Sequence, residues 1–299
     1  MVGELLHNFN KKFGKFFFGN PNTLYYNIFN KYHKSLIAKK NGIGNEISEF
    51  INKGFFKTDI DSSEFCMKVS NCLKRQNIDN KKGYFQFEVD EEIKSHIINH
   101  INKDFSKILS EFEKFYNSRV AVAKVAIRRN YHLENTEKEV YSNNYHVDHY
   151  TYNHFKLFIN LMDVNKNQGP LHIYSKKDTK KFLKINDYKD RSNYKNNELK
   201  KDLFVNSGKL GESMFANTTE CLHKAGYVEK GFHRDVLFIT FITVPDKIDA
   251  QENLFYYDKI FPQSIWNSKD GSEILKITKP KSLKKTISLF LKYYKNKIN

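Results

Sequence analysis

Hydrophobic positions follow a helical period at both ends of the chain and through its first third. Over residues 4–18, Leu5, Leu6, Phe9, Phe13, Phe16 and Phe17 share one helical face, with Lys11, Lys12 and Lys15 largely opposite. Gly19-Asn20-Pro21 ends that pattern. After Pro280 a second stripe runs through Leu283, Ile287, Phe290, Leu291, Tyr294 and Ile298, bordered by Lys284, Lys285, Lys292 and Lys295. Between the two, segments 46–53, 62–74 and 91–115 read as helices, with Gly54-Phe55-Phe56 separating the first pair.

From Arg119 the period shortens. Segments 120–127, 156–164, 171–174, 203–206, 213–217 and 236–244 are short, β-branched and aromatic, and are broken by Asn, Gly, Asp or Ser. Short strands after a helical section predict an α+β protein with a mainly β core. The expected form is an antiparallel barrel or jelly roll flanked by N-terminal helices, with a helical C-terminus. Residues 176–201 are polar and lysine-rich, which predicts a long exposed insertion of the kind used as a lid. The chain divides into a basic helical extension (1–45), a main domain (46–245; helices over 46–118, jelly roll over 119–245) and a C-terminal extension (246–299) that ends in a basic amphipathic helix.

Composition sharpens this picture in two places. With 299 residues and 39% hydrophobic content the chain can fill a core and is not wholly disordered. No run approaches the ~18 apolar residues of a membrane span, and residues 1–18 lack the continuous apolar stretch of a secretory signal. Cys66, Cys72 and Cys221 are odd in number and have no metal-ligand spacing, so a reducing, cytoplasmic setting is expected.

Charge is concentrated at the ends. The net charge is +16; residues 1–45 hold seven lysines against one acid, and residues 276–299 hold eight lysines and no acid. The body is therefore close to neutral, which excludes a nucleic-acid groove across the main fold. The basic termini either pack their apolar faces on the body or meet an anionic membrane surface peripherally. Oligomeric state is left open.

The chemistry gathers on four residues. In Tyr145-His146-Val147-Asp148, strand-like alternation points His146 and Asp148 to the same side, where both can ligate one metal ion. His223 from a distant strand completes a two-histidine, one-carboxylate face, which suits Fe(II) because open coordination positions remain for co-substrate and O2. His-x-Asp alone is a frequent accident in a chain with 11 histidines. Arg234, one of only six arginines, stands at the start of a strand-like run and adds information. A guanidinium is the natural partner for the far carboxylate of a diacid chelating the iron.

In this order the residues resemble the Fe(II)/2-oxoglutarate-dependent oxygenases of the phytanoyl-CoA dioxygenase-like branch. His146-x-Asp148 is followed by His223 after 77 residues and by Arg234 eleven later. Three further stretches match that branch: Glu49-Phe50-Ile51-Asn52-Lys53-Gly54-Phe55-Phe56, Phe158-Ile159-Asn160-Leu161-Met162-Asp163 and Asn167-Gln168-Gly169-Pro170-Leu171. The resemblance covers residues 46–245. It implies a double-stranded β-helix of the cupin type, with His146, Asp148 and His223 on Fe(II) and Arg234 on 2-oxoglutarate. Arg128 and Asn130, closing the strand before the metal motif, fall where family members place a further co-substrate contact.

The implied reaction is hydroxylation of an aliphatic C–H bond by O2, coupled to conversion of 2-oxoglutarate to succinate and CO2. The retained Asp148 favours hydroxylation over halogenation. The expected substrate is a small or lipid-linked molecule, with an anionic sugar of lipopolysaccharide as one example suggested by the basic termini.

Two departures stand out. Ser175-Lys176-Lys177 replaces the family's Gly-Ser-His, and Ala225 stands where a hydroxyl residue often helps to hold 2-oxoglutarate. Among the remaining histidines, His96 and His100 read as surface or packing residues, His149 and His154 as structural or substrate-side, and His172 as a strand residue within reach of the cavity. Two other readings stand beside hydroxylation: a non-catalytic binding protein on the same barrel, and a metal-dependent cupin of another kind.

Overall fold

A computed structural model describes residues 44–78, 83–116, 119–132, 144–148, 154–185 and 203–244, with parts of a helix between 287 and 295. The amphipathic stripe over 4–18, the extension over 246–286, His149 and the second half of the 176–201 segment lie outside the described residues.

Among the described residues, two antiparallel sheets carry the main domain. The larger has six strands in the order β1 (Phe55–Lys57), β7 (Ser213–Ala216), β4 (His154–Asn160), β9 (His233–Val244), β3 (Arg119–Tyr131) and β2 (Tyr84–Phe87). The smaller has three: β6 (Leu203–Asn206), β5 (Leu171–Tyr174) and β8 (His223–Ala225). An isolated antiparallel bridge adds His146 beside His223.

Alternation along the central strands separates two faces. Val125 and Ile127 of β3, Phe155, Leu157 and Ile159 of β4, and Leu237, Ile239 and Phe241 of β9 all enter the main hydrophobic core. That core is closed by four helices: α1 (Asn45–Asn52), α2 (Ser63–Leu73), α3 (Glu91–Asp104) and α4 (Ser106–Tyr116). Phe50, Phe112, Phe155 and Phe215 meet there, with the Phe112 and Phe155 rings stacked at 4.1 Å. The residues between them on each strand therefore point to the other face, which turns toward the small sheet. Phe55, Met214 and Ala216 from the large sheet pack against Ile173 and Cys221 in a second cluster that joins the two sheets.

Three expectations are corrected. The helix expected over 91–115 is two helices, because the chain turns at Phe105, which caps α3 and is itself fully buried. The supposedly helical section 46–118 contributes two strands, β1 and β2, which form opposite edges of the large sheet. The segment expected to be an exposed insertion begins with helix α5 (Lys176–Ile185), and its Thr179 and Phe182 are buried. Ser175 starts that helix: its hydroxyl accepts the Asp178 amide and donates to the Asp178 carboxylate. Phe182 then packs with Tyr145, Val147, Tyr174 and Leu222 behind the small sheet.

Candidate metal and co-substrate site

The bridge between His146 and His223 fixes the geometry of the site. Their backbones exchange two hydrogen bonds, His146 N to His223 O at 3.0 Å and His223 N to His146 O at 2.9 Å. This places both side chains on one face of the small sheet, with ring centroids 4.4 Å apart. Tyr145 and Val147 turn the opposite way into the cluster under α5, and Asp148 returns to the His146 side. The Asp148 amide donates to Thr218 O at 2.8 Å, which anchors the end of the motif.

His146, Asp148 and His223 each offer a ligand atom, and those atoms all lie within 4.8 Å of one another. The two Nε2 atoms approach opposite oxygens of the Asp148 carboxylate at 3.8 and 3.9 Å. Each Nδ1 faces a backbone carbonyl two residues upstream: His146 to Asn144 O at 2.7 Å and His223 to Cys221 O at 3.0 Å. A carbonyl only accepts, so each Nδ1 carries a proton and donates, which turns each Nε2 toward the Asp148 carboxylate. Burial, followed by the neighbouring His146, pushes His223 down to about 3, so its ring is neutral at ordinary pH. A neutral ring, a lone pair and a carboxylate facing one point make a donor set for a divalent transition metal.

Arg234 lies at the start of β9, its guanidinium buried, and its Nη1 donates to Gly169 O. The turn that presents Gly169 is built locally. Asn165 and Gln168 cap a short 3-10 turn reciprocally, and Gly169 follows at φ +64°. A Cβ at Gly169 would stand 2.6 Å from the carbonyl oxygens of Gly226 and Tyr227, so only glycine fits. The Arg234 Nε is buried with no hydrogen-bond partner among the described residues, and burial lowers this guanidinium to about 10. A buried cation with an unused donor is what a carboxylate ligand would complete.

Asn130 is the register partner of Arg234, and Arg128 follows one row along, opposite Val236. Both therefore share the strand face that carries Arg234. Arg129 points the other way and makes a two-pronged ion pair with Asp235 at 2.7 and 2.6 Å, tying β3 to β9. Ala225 is buried and leaves no hydroxyl at its position.

His172 does not join this face. Its neighbour Ile173 pairs with His223, while His172 pairs with Lys224 and contacts the Tyr145 hydroxyl at 3.3 Å. His100 is a packing residue, held between Asp104 at 2.7 Å and Ser62 at 2.8 Å. His96 groups instead with Cys72 and Glu92 on the helical layer, where Glu92 is engaged by Arg75 at 2.7 Å.

The sequence reading missed Lys124, Lys156 and Thr240. Lys156 Nζ donates to Asp148 Oδ2 at 2.6 Å, and Lys124 and Lys156 both pair in register with Thr240. Burial, then Arg128 and Lys156, push Lys124 down to about 8. The available signal was a lysine in phase with the inward positions of an otherwise apolar strand.

No family model matches the sequence, and no curated protein matches it. Among solved structures, one that is similar is HygX from Streptomyces hygroscopicus with nickel, 2-oxoglutarate and hygromycin B bound. Identity is 11% over 67% of this chain and 87% of that one, with a TM-score of 0.46. EctD from S. alaskensis, with 2-oxoglutarate and 5-hydroxyectoine, is 12% identical over 67% and 76%, with a TM-score of 0.44. SnoN, an epimerase, in complex with Fe3+, alpha-ketoglutarate and nogalamycin RO, is 10% identical over 66% and 82%, with a TM-score of 0.46.

Proposed function

We propose that this protein is an Fe(II)/2-oxoglutarate-dependent oxygenase that hydroxylates an aliphatic C–H bond. The observation that carries the reading is the triad itself: two buried imidazoles and one half-buried carboxylate whose ligand atoms all lie within 4.8 Å of one another. Such a set leaves one side of the metal open, as O2 chemistry with a chelating keto acid requires. The strand order supports a double-stranded β-helix. Along the chain β3, β4, β7 and β9 fall in the large sheet, while the His146 bridge, β5, β6 and β8 fall in the small one.

In this mechanism His146, His223 and Asp148 hold the ferrous ion. Arg234, with its unused donor, pairs with the remote carboxylate of 2-oxoglutarate, and Asn130 and Arg128 line the same side. When bound there, iron would supply O2 activation coupled to conversion of 2-oxoglutarate to succinate and CO2. The protein contributes position and dryness: the carbonyls of Asn144 and Cys221 hold each imidazole in its binding tautomer, and the aromatic core beneath the large sheet fixes the strands. Phytanoyl-CoA dioxygenase-like motifs support placing the chain in that branch. The exposed apolar residues of the C-terminal helix, Ile287, Phe290, Leu291 and Tyr294, support peripheral contact with an anionic membrane.

The test is succinate formation by the full chain, with Fe(II), 2-oxoglutarate and O2 each omitted in turn. Release that needs all three, even uncoupled from a substrate, is the expected result. A chain that binds Mn(II) and 2-oxoglutarate yet never releases succinate would favour a binding protein.

A further inference from the structure

Three adjacent strands place a row of polar side chains across the inner face of the large sheet. Thr240 of β9 is the register partner of Lys124 on β3 and of Lys156 on β4. All three share the face of Phe238, opposite to the core residues Ile239 and Phe241. Arg128 and Lys156 stand over the Phe238 ring, at 5.1 and 5.8 Å from its centroid. The Thr240 hydroxyl is buried and has no hydrogen-bond partner among the described residues.

A simpler account covers only part of this. Lys156 serves as counter-charge to Asp148, at 2.6 Å. Asp148 also attracts Lys124, but repulsion from Arg128 and Lys156 outweighs that attraction, so gathering these cations around one carboxylate is a cost the fold must bear. Nor does that account give the orphaned hydroxyl a purpose. The co-substrate does not fill the row either. Arg234 and Thr240 are six residues apart on β9, about 20 Å of strand, whereas a five-carbon diacid spans about 7 Å.

We propose that Lys124, Thr240 and Lys156, with Arg128 at the edge, form an anion subsite beside the metal triad that selects a substrate bearing a carboxylate or phosphate. The inference rests on the oxygenase reading and names its substrate class. The two ammonium groups supply charge and the hydroxyl supplies a donor. Because Lys156 touches Asp148, the anionic group of the substrate sits close to the bond that is oxidised.

The experiment uses the full chain in excess over Mn(II), saturated with 2-oxoglutarate, and two probes: inorganic phosphate, followed by 31P relaxation, and acetate, followed by 13C relaxation. Saturable paramagnetic enhancement of one probe is expected, and which one responds separates the two chemistries. Lys124→Met with Lys156→Met should weaken that probe about tenfold or more. Thr240→Val, which keeps the shape of the core, should weaken it a few-fold. Affinity for 2-oxoglutarate, read by calorimetry at verified Mn(II) occupancy, should stay unchanged in both variants.

Three outcomes overturn the proposal: no enhancement of either probe in the wild type, an affinity that the variants leave unaltered, or a parallel loss of 2-oxoglutarate binding. Failure of the oxygenase reading looks different. Mn(II) would then show no affinity for the triad before any probe is added, and phosphate and acetate titrations of the metal-free chain would still decide whether the row binds anions.

Discussion

At the scale of single residues, the two imidazoles of the site take their orientation from backbone carbonyls close by in the chain. Replacing His223 or Asp148 by Ala removes one of the three proposed ligands, and Mn(II) affinity measured by calorimetry should fall at least about 100-fold. Arg234→Gln keeps a donor but loses the charge, so the dissociation constant for 2-oxoglutarate should rise about 10–100-fold while metal affinity holds. A pH effect follows from His172, which burial, then Lys224 and Arg234, hold down to about 4. Its folded pKa lies below its unfolded one, so the unfolded state binds more protons in the intervening range. The stability contribution is therefore complete above about pH 6.5 and is lost as pH falls toward 4. Thermal melts across that window should show a slope that His172→Gln flattens, by about 1–2 kcal/mol once solvent screening at this half-buried position is allowed for.

At the scale of elements, the turn before β5 links sequence to the proposed co-substrate contact at Arg234. Gly169→Ala places a methyl group against two carbonyls at positive φ, and should cost about 1–3 kcal/mol in denaturant unfolding. Because Gly169 O receives the Arg234 guanidinium, the same change should weaken 2-oxoglutarate more than Mn(II), which calorimetry separates. This level was partly legible beforehand. Strands β5 and β6 fall on the expected residues, since their β-branched runs are bounded by clear turn residues. The break at Phe105 was hidden because Phe105 continues the apolar period that it interrupts. Helix α5 was hidden by its five lysines, which mask the sparse buried positions Thr179 and Phe182. The triad was legible as a motif with spacing. Lys124 and Lys156 were not, because a lysine in a strand reads as solvent-facing until the inward face is known.

At the scale of the whole molecule, a nearly neutral body carries strongly basic ends. The described part of the C-terminal helix exposes Ile287, Phe290, Leu291 and Tyr294, with Phe290 and Tyr294 in ring contact at 4.8 Å. Vesicles containing phosphatidylglycerol should sediment with the full chain, and removal of residues 276–299, which takes away eight lysines, should abolish most of that binding. Raising the salt from 0.1 to 0.5 M should weaken the electrostatic share. Equal, negligible binding by both forms would end the membrane proposal.

The carbonyls opposite the two imidazoles have a further consequence. Each histidine takes its orientation from a peptide group two positions earlier in the chain, rather than from a distant acid that must be inherited with it. The tripeptides Asn144-Tyr145-His146 and Cys221-Leu222-His223 are thus self-sufficient cassettes. Grafted into another barrel with the same backbone path, each should arrive with its ring already aimed, and surrounding loops can diverge without disarming the centre.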